Sequence, residues 1–127
     1  MNNQKKTEPA ITSGADIVRQ RTADFIARYA NYSHIESSLW DGKILFGQTD
    51  QILGNTVPIH TAVTFPWPQL KVLAYFMSVH VAAYEADNGR IKIPPGIVPE
   101  ASSNSAFREI YDEFIAENPE AAPKGEK

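Results

Sequence analysis

The sequence predicts an α+β domain: a three-stranded antiparallel meander, a long helix packed on the sheet, and a C-terminal amphipathic helix. Three observations carry this. Val57, Ile59, Thr61, Val63 and Phe65 alternate with Pro58, His60, Ala62 and Thr64, the two-residue period of a strand. Residues 70–84 are almost continuously apolar, opened by Pro68, which suits a first helical position, and closed by Asn88-Gly89, which suits a left-handed helix end. Phe107, Ile110, Tyr111 and Phe114 recur three and four apart, the stripe of a surface helix.

In chain order, residues 1–14 are polar and read as a mobile leader. The first strand is expected from about Asp24 to Ser37, where aromatic and β-favouring residues concentrate. Trp40-Asp41-Gly42-Lys43 signals a tight hairpin, with Asp-Gly supplying positive φ angles. Lys43 to Gln48 is the second strand, 49–56 a loop, and Val57 to Phe65 the third strand. The long helix follows from Pro68 to about Asn88, and Arg90 to Ile93 is a short further strand. Residues 15–98 thus form one α+β domain. Residues 99–118 are a linker and the C-terminal helix, which starts near Ser105, and 119–127 are a disordered tail by composition.

Composition removes several classes of function. The 127 residues suit one domain. They include no cysteine, so a disulfide framework, a thiolate metal site and a cysteine nucleophile are excluded together. That suits a reducing, cytoplasmic setting. The polar start reads as lacking a signal peptide. The longest uncharged apolar stretch, Val72 to Tyr84, is 13 residues, where a membrane span needs about 20. Twelve basic residues stand against 15 acidic ones, a net charge of −3. Nucleic-acid binders usually carry a basic surplus. Here Arg19, Arg21 and Arg28, with Lys5 and Lys6 before them, form the basic cluster, and they read as scattered solvated charge.

The long helix is the informative element. At 100° per residue, Lys71, Ala74, Ser78, Ala82 and Glu85 occupy one narrow stripe, and the apolar arc spans about 240°. A helix on a monomer's surface needs an apolar face of somewhat over 100°. One sheet covers one side, so the rest must meet something else: the C-terminal helix, a partner, or the same helix of a second copy. A symmetric homodimer is the commonest solution. The seam expected is Val72, Phe76, Val79, His80 and Ala83. Phe107, Ile110, Tyr111 and Phe114 then remain to dock into a protein partner's groove.

Catalytic and cofactor signatures are missing. Gly42, Gly47 and Gly54 are too dispersed for a phosphate loop, and there is no Gly-x-Ser-x-Gly elbow. No two of His34, His60 and His80 have a spacing that puts two metal ligands on one helix face. No cofactor and no catalytic or metal residue is therefore expected. His34 and His60, with Glu36 alongside, could share a sheet face and form a small-molecule or metal site, the alternative to ordinary surface histidines. His80, flanked by Phe76, Met77 and Tyr84, reads as a core or interface histidine. Trp40 and Trp67, without interleaved basic residues, read as packing rather than as a base-stacking platform.

Several motifs recur in order: Tyr29-Ala30-Asn31, Trp40-Asp41 with Phe46-Gly47, Val57 to Phe65 running into Trp67-Pro68-Gln69-Leu70-Lys71, and Tyr84-Glu85 before Gly89-Arg90-Ile91-Lys92. Over about residues 27–95 the chain resembles the prokaryotic domain of unknown function 3467 family. The resemblance implies a compact strand-strand-strand-helix domain of bacterial type and brings no activity, substrate or site residue. Two positions depart from the family's pattern. Gly42 stands where an aromatic residue is usual, and Trp67 where a serine or threonine caps the helix. The expected function is a non-enzymatic, oligomeric adaptor or assembly domain. The alternatives are small-molecule or metal binding near His34 and His60, or weak nucleic-acid binding through the arginines.

Overall fold

The computed structural model describes residues 17–49 and 56–123. Its elements are β1 (Tyr32–Ser37), β2 (Asp41–Gly47), β3 (Ile59–Pro66), α1 (Trp67–Asn88), α2 (Arg108–Glu117) and a 3-10 turn at Pro119–Ala121. The strands form one antiparallel sheet in the order β1-β2-β3. The chain is therefore α+β, with the meander, the long helix and the second helix in the expected order. It divides into two compact units, Met1–Ala83 and Tyr84–Lys127, at a point inside α1 rather than at the linker near residue 99. The expected leader, residues 1–14, lies outside the described residues.

In the first unit, the register pairs Ile35 with Ile44 and Ile44 with Val63. Alternation puts these three on one face, with Phe46 and Phe65, while Glu36, Lys43 and Thr64 line up on the other. Ile44, in the central strand, is the one buried hydrophobic residue described in this unit, at 7% exposure. Burying such a side chain contributes about 1.5–3 kcal/mol. Its row-mates on the edge strands, Ile35 and Val63, remain exposed at 52% and 42%.

The hairpin between β1 and β2 turns two residues earlier than expected, over Ser38 to Asp41. Gly42 has no positive φ and already lies in β2. The turn is held instead by Ser38. Its Oγ accepts from the N–H groups of Trp40 and Asp41 at 3.1 and 3.0 Å, and its N–H donates to the Asp41 carbonyl at 2.9 Å.

The first strand is also shorter than expected. Asn31 turns its side chain to the backbone of Thr49, donating to the carbonyl at 2.9 Å and accepting from the N–H at 3.0 Å. That exchange stands where a ladder would continue, so residues 25–30 take no strand assignment despite their β-favouring composition.

α1 meets the sheet through its first turn. The Trp67 indole N–H donates to the Ser38 carbonyl at 3.0 Å, and the Trp67 ring and Leu70 lie over Gly42. Beyond that turn, Leu73, Phe76, Val79 and Ala83 are half-buried, and no residue of the helix is fully buried. No described helix is long and apolar enough to cross a membrane.

In the second unit, α1 ends at Gly89, which has a φ of +91° and donates its N–H to the Glu85 carbonyl at 2.9 Å. Arg90 to Ile93 do not form a strand. The N–H groups that a neighbouring strand would have taken go to side chains: Ile91 donates to Glu85 at 2.9 Å and Ile93 to Glu120 at 3.2 Å. α2 starts at Arg108 rather than near Ser105, because the Ser105 Oγ accepts from the Phe107 N–H at 2.9 Å and holds a non-helical turn before it. The expected disordered tail is corrected over its first residues. Pro119–Ala121 form the 3-10 turn, and Ala121 is 1% exposed.

Candidate functional site

The two histidines of the alternative site part company. His34 sits opposite Leu45 on the face that carries Glu36 and Lys43. The pairing between β2 and β3 shifts at Phe46/Gly47, passing from Thr61 to Ile59, so His60 occupies a bulge. Its Nδ1 is 2.7 Å from the Thr61 Oγ1, and Thr61 pairs with Phe46 on the opposite face. Its Nε2 is 3.0 Å from the Tyr29 carbonyl oxygen. That carbonyl can only accept, so Nε2 carries a proton, and in the neutral ring Nδ1 accepts from the threonine hydroxyl. Both ring nitrogens are engaged in tying β3 to the segment before β1. Neither is left for a metal or for proton transfer. Among the described residues, no three histidine or carboxylate side chains cluster as a metal site would require.

A shallow hollow of about 670 Å³ lies beside His60. Alternate residues Asp24, Ile26, Arg28 and Ala30 line it, together with Phe46 and Thr61 of the sheet. The Thr22 hydroxyl, 2.6 Å from the Asp24 Oδ1, holds that carboxyl below its ordinary pKa. The arginines expected as an alternative basic patch are used separately. Arg21 lies over the Phe25 ring at 4.9 Å, a cation–π contact, while Arg28 borders the hollow.

The other surface is α1 itself. Of the five seam residues expected from sequence, Phe76, Val79 and Ala83 lie on the half-buried stripe, whereas Val72 and His80 are exposed. Sequence reasoning missed the apolar side chains around that stripe. Tyr75 is 60% exposed, Met77 51% and Val81 48%. The signal for them was the width of the arc, which is more than one half-buried stripe takes up. Tyr75 and Phe76 rings stand 5.6 Å apart, so aromatic surface passes continuously from the stripe to the exposed flank.

At the start of α2, the preceding residue Phe107 and Ile110 of the helix are exposed at 70% and 66%. Tyr111 is half-buried, with the Arg108 guanidinium 5.3 Å above its ring, and Phe114 is at the margin of exposure. Arg108 also pairs with Asp112 one turn on, at 3.1 Å. The helix therefore presents two large apolar side chains near its N-terminal end rather than a full stripe. No protein-family model, curated protein or solved structure matches the chain.

Proposed function

We propose that this chain is a non-enzymatic, oligomeric protein-binding domain, an adaptor or assembly factor, that self-associates through α1 and offers α2 to a protein partner. One observation carries the reading. A 22-residue helix has no buried residue, and apolar side chains on both sides of its half-buried stripe meet solvent. At about 1.5 Å rise per residue such a helix is about 33 Å long. Strands of six to eight residues reach about 20–27 Å, and a single sheet covers a single side. A second copy supplies the missing cover by the commonest symmetry available. Phe107 and Ile110 then form the apolar anchor for another protein.

The resemblance of residues 27–95 to the domain of unknown function 3467 family belongs to the same reading. Its two departures from that pattern meet in space, with the Trp67 ring packed over Gly42. A large aromatic at the helix start thus compensates for the missing one on the strand. The lack of cysteine suits a bacterial cytoplasm.

The test uses Tyr75→Glu and Val81→Glu, because side chains about half exposed contribute little to their own fold. Sedimentation velocity of each variant beside wild type should show a wild-type dimer and at least tenfold weaker association in the variants, with unchanged circular dichroism. A charge desolvated at a seam costs several times the roughly 1.4 kcal/mol that tenfold requires. Variants that associate like wild type would remove α1 from the interface.

A further inference from the structure

Among the described residues the sheet has two open edges, and they differ. On β3, Pro66 lacks an N–H, Pro58 precedes the strand, and a bulge interrupts the ladder at His60. Prolines and bulges blunt an edge against pairing. On β1 there is no proline, no lysine and no bulge, and all six residues are exposed. The direction of its free groups follows from the ladder. The Asp41 and Gly47 carbonyls accept from the β1 side, while the Gln48 N–H donates to Pro58 on the β3 side. Odd residues of β2 therefore bond to β1, and their register partners Tyr32, His34 and Glu36 bond inward. Ser33, Ile35 and Ser37 turn their N–H and C=O groups outward.

We infer that β1 pairs antiparallel with β1 of a second copy about a twofold axis at Ile35, joining two sheets into one of six strands. This rests on the self-association reading and names a main-chain seam for it. In this register the outward groups of Ile35 bond to those of its own copy, and Ser33 faces Ser37 of the second copy. On one face, Ile35 meets Ile35 and extends the apolar row through Ile44 and Val63 across both copies. On the other, His34 stands opposite Glu36 of the second copy, and Glu36 opposite its His34, so the strand is complementary to itself. The neighbouring registers are worse. Moving the axis to Glu36 sets the two carboxylates against each other, and like charges directly opposite destabilise a ladder; moving it to His34 puts each Glu36 opposite Tyr32 and loses both His34–Glu36 pairs. The twofold also keeps both apolar faces on the same side of the joined sheet, which leaves α1 free to contribute to the same dimer.

The test is a charge swap. His34→Glu and Glu36→Lys are measured alone and as an equimolar mixture, by light scattering, with circular dichroism as the folding control. Each variant alone should associate about tenfold more weakly than wild type, and the mixture should recover wild-type association, because the mixed dimer sets the introduced carboxylate against the introduced ammonium and keeps one His34–Glu36 pair. Amide exchange of the wild type gives a second readout. The Ser33, Ile35 and Ser37 amides should slow as protein concentration rises, while those of His34 and Glu36, already bonded to β2, should not change. Single variants as dimeric as wild type, or a mixture that fails to recover, would overturn the edge pairing. The helix seam would then be judged separately by Tyr75→Glu and Val81→Glu. A wild type that stays monomeric would overturn both.

Discussion

A methyl group added at Gly47 would run into the Pro58 carbonyl oxygen and come within 3.0 Å of the Ile59 Cδ1. Backbone cannot rotate aside, so Gly47→Ala should cost about 3 kcal/mol, at the upper end for overpacking. At Gly42 the same group would come within 2.8 Å of the Leu70 Cδ2 and 3.4 Å of the Trp67 ring. A leucine tip can change rotamer, so Gly42→Ala should cost only about 1 kcal/mol. Urea unfolding followed by tryptophan fluorescence measures both, and the account requires the larger loss at Gly47.

Glu120 gives a prediction in pH. Its hydrogen bond from Arg90, at 2.9 Å, is the main reason that its carboxyl is lowered from 4.5 to about 2. The bond from the Ile93 N–H and the arginine's charge act in the same direction. Folding thus favours the charged carboxylate. The stabilisation is complete above about pH 4.5 and is lost as pH falls from there towards 2. The protection factors of the Ile93 and Ala121 amides, taken against the intrinsic exchange rate at each pH, should fall within that window in wild type. In Glu120→Gln they should already be low at neutral pH and show no such fall; an unchanged wild-type profile in the variant would contradict the assignment.

At the scale of elements, what was legible in the sequence was whatever a local pattern determines. The alternation of Val57 to Phe65 gave β3 to within a couple of residues, and Pro68 with Asn88-Gly89 bracketed α1. What was not legible depends on bonds between distant residues. Residues 24–31 have strand-like composition, but Asn31 reaches 18 positions along to Thr49 and ends the ladder there. Arg90 to Ile93 look like a strand until the Glu120 carboxylate, 27 positions beyond Ile93, takes an N–H. The hairpin shows a different failure. Asp-Gly is a strong turn signal, yet the Ser38 hydroxyl satisfied the turn's donors first and left Gly42 to the strand, where Trp67 and Leu70 need the space above it.

The candidate site was read with the same strengths and gaps. The wide arc of α1 was visible as composition, but which part of it stays exposed depends on tertiary packing, which composition does not supply. That placed Phe76, Val79 and Ala83 inward and left Tyr75, Met77 and Val81 outside. The pairing of His34 with Glu36 across a twofold required the register of the sheet, which no spacing in the sequence supplies. For the helix, Tyr75→Glu and Val81→Glu should weaken association together, since their side chains stand on either side of one stripe.

For the whole molecule, the described residues contain two buried hydrophobic side chains, Ile44 in the first unit and Ala121 in the second. A chain of this mass folding alone buries roughly two thirds of its unfolded surface around one core. The apolar surface left on α1, on the β1 edge and at Phe107 and Ile110 is therefore the main energetic fact among the described residues, and the proposed association is what would cover it. The most direct measurement is the absolute mass of the wild-type chain in dilute solution, by light scattering behind a size-exclusion column. The account predicts twice the chain mass of 14.1 kDa. A single-chain mass at every concentration tested would contradict it.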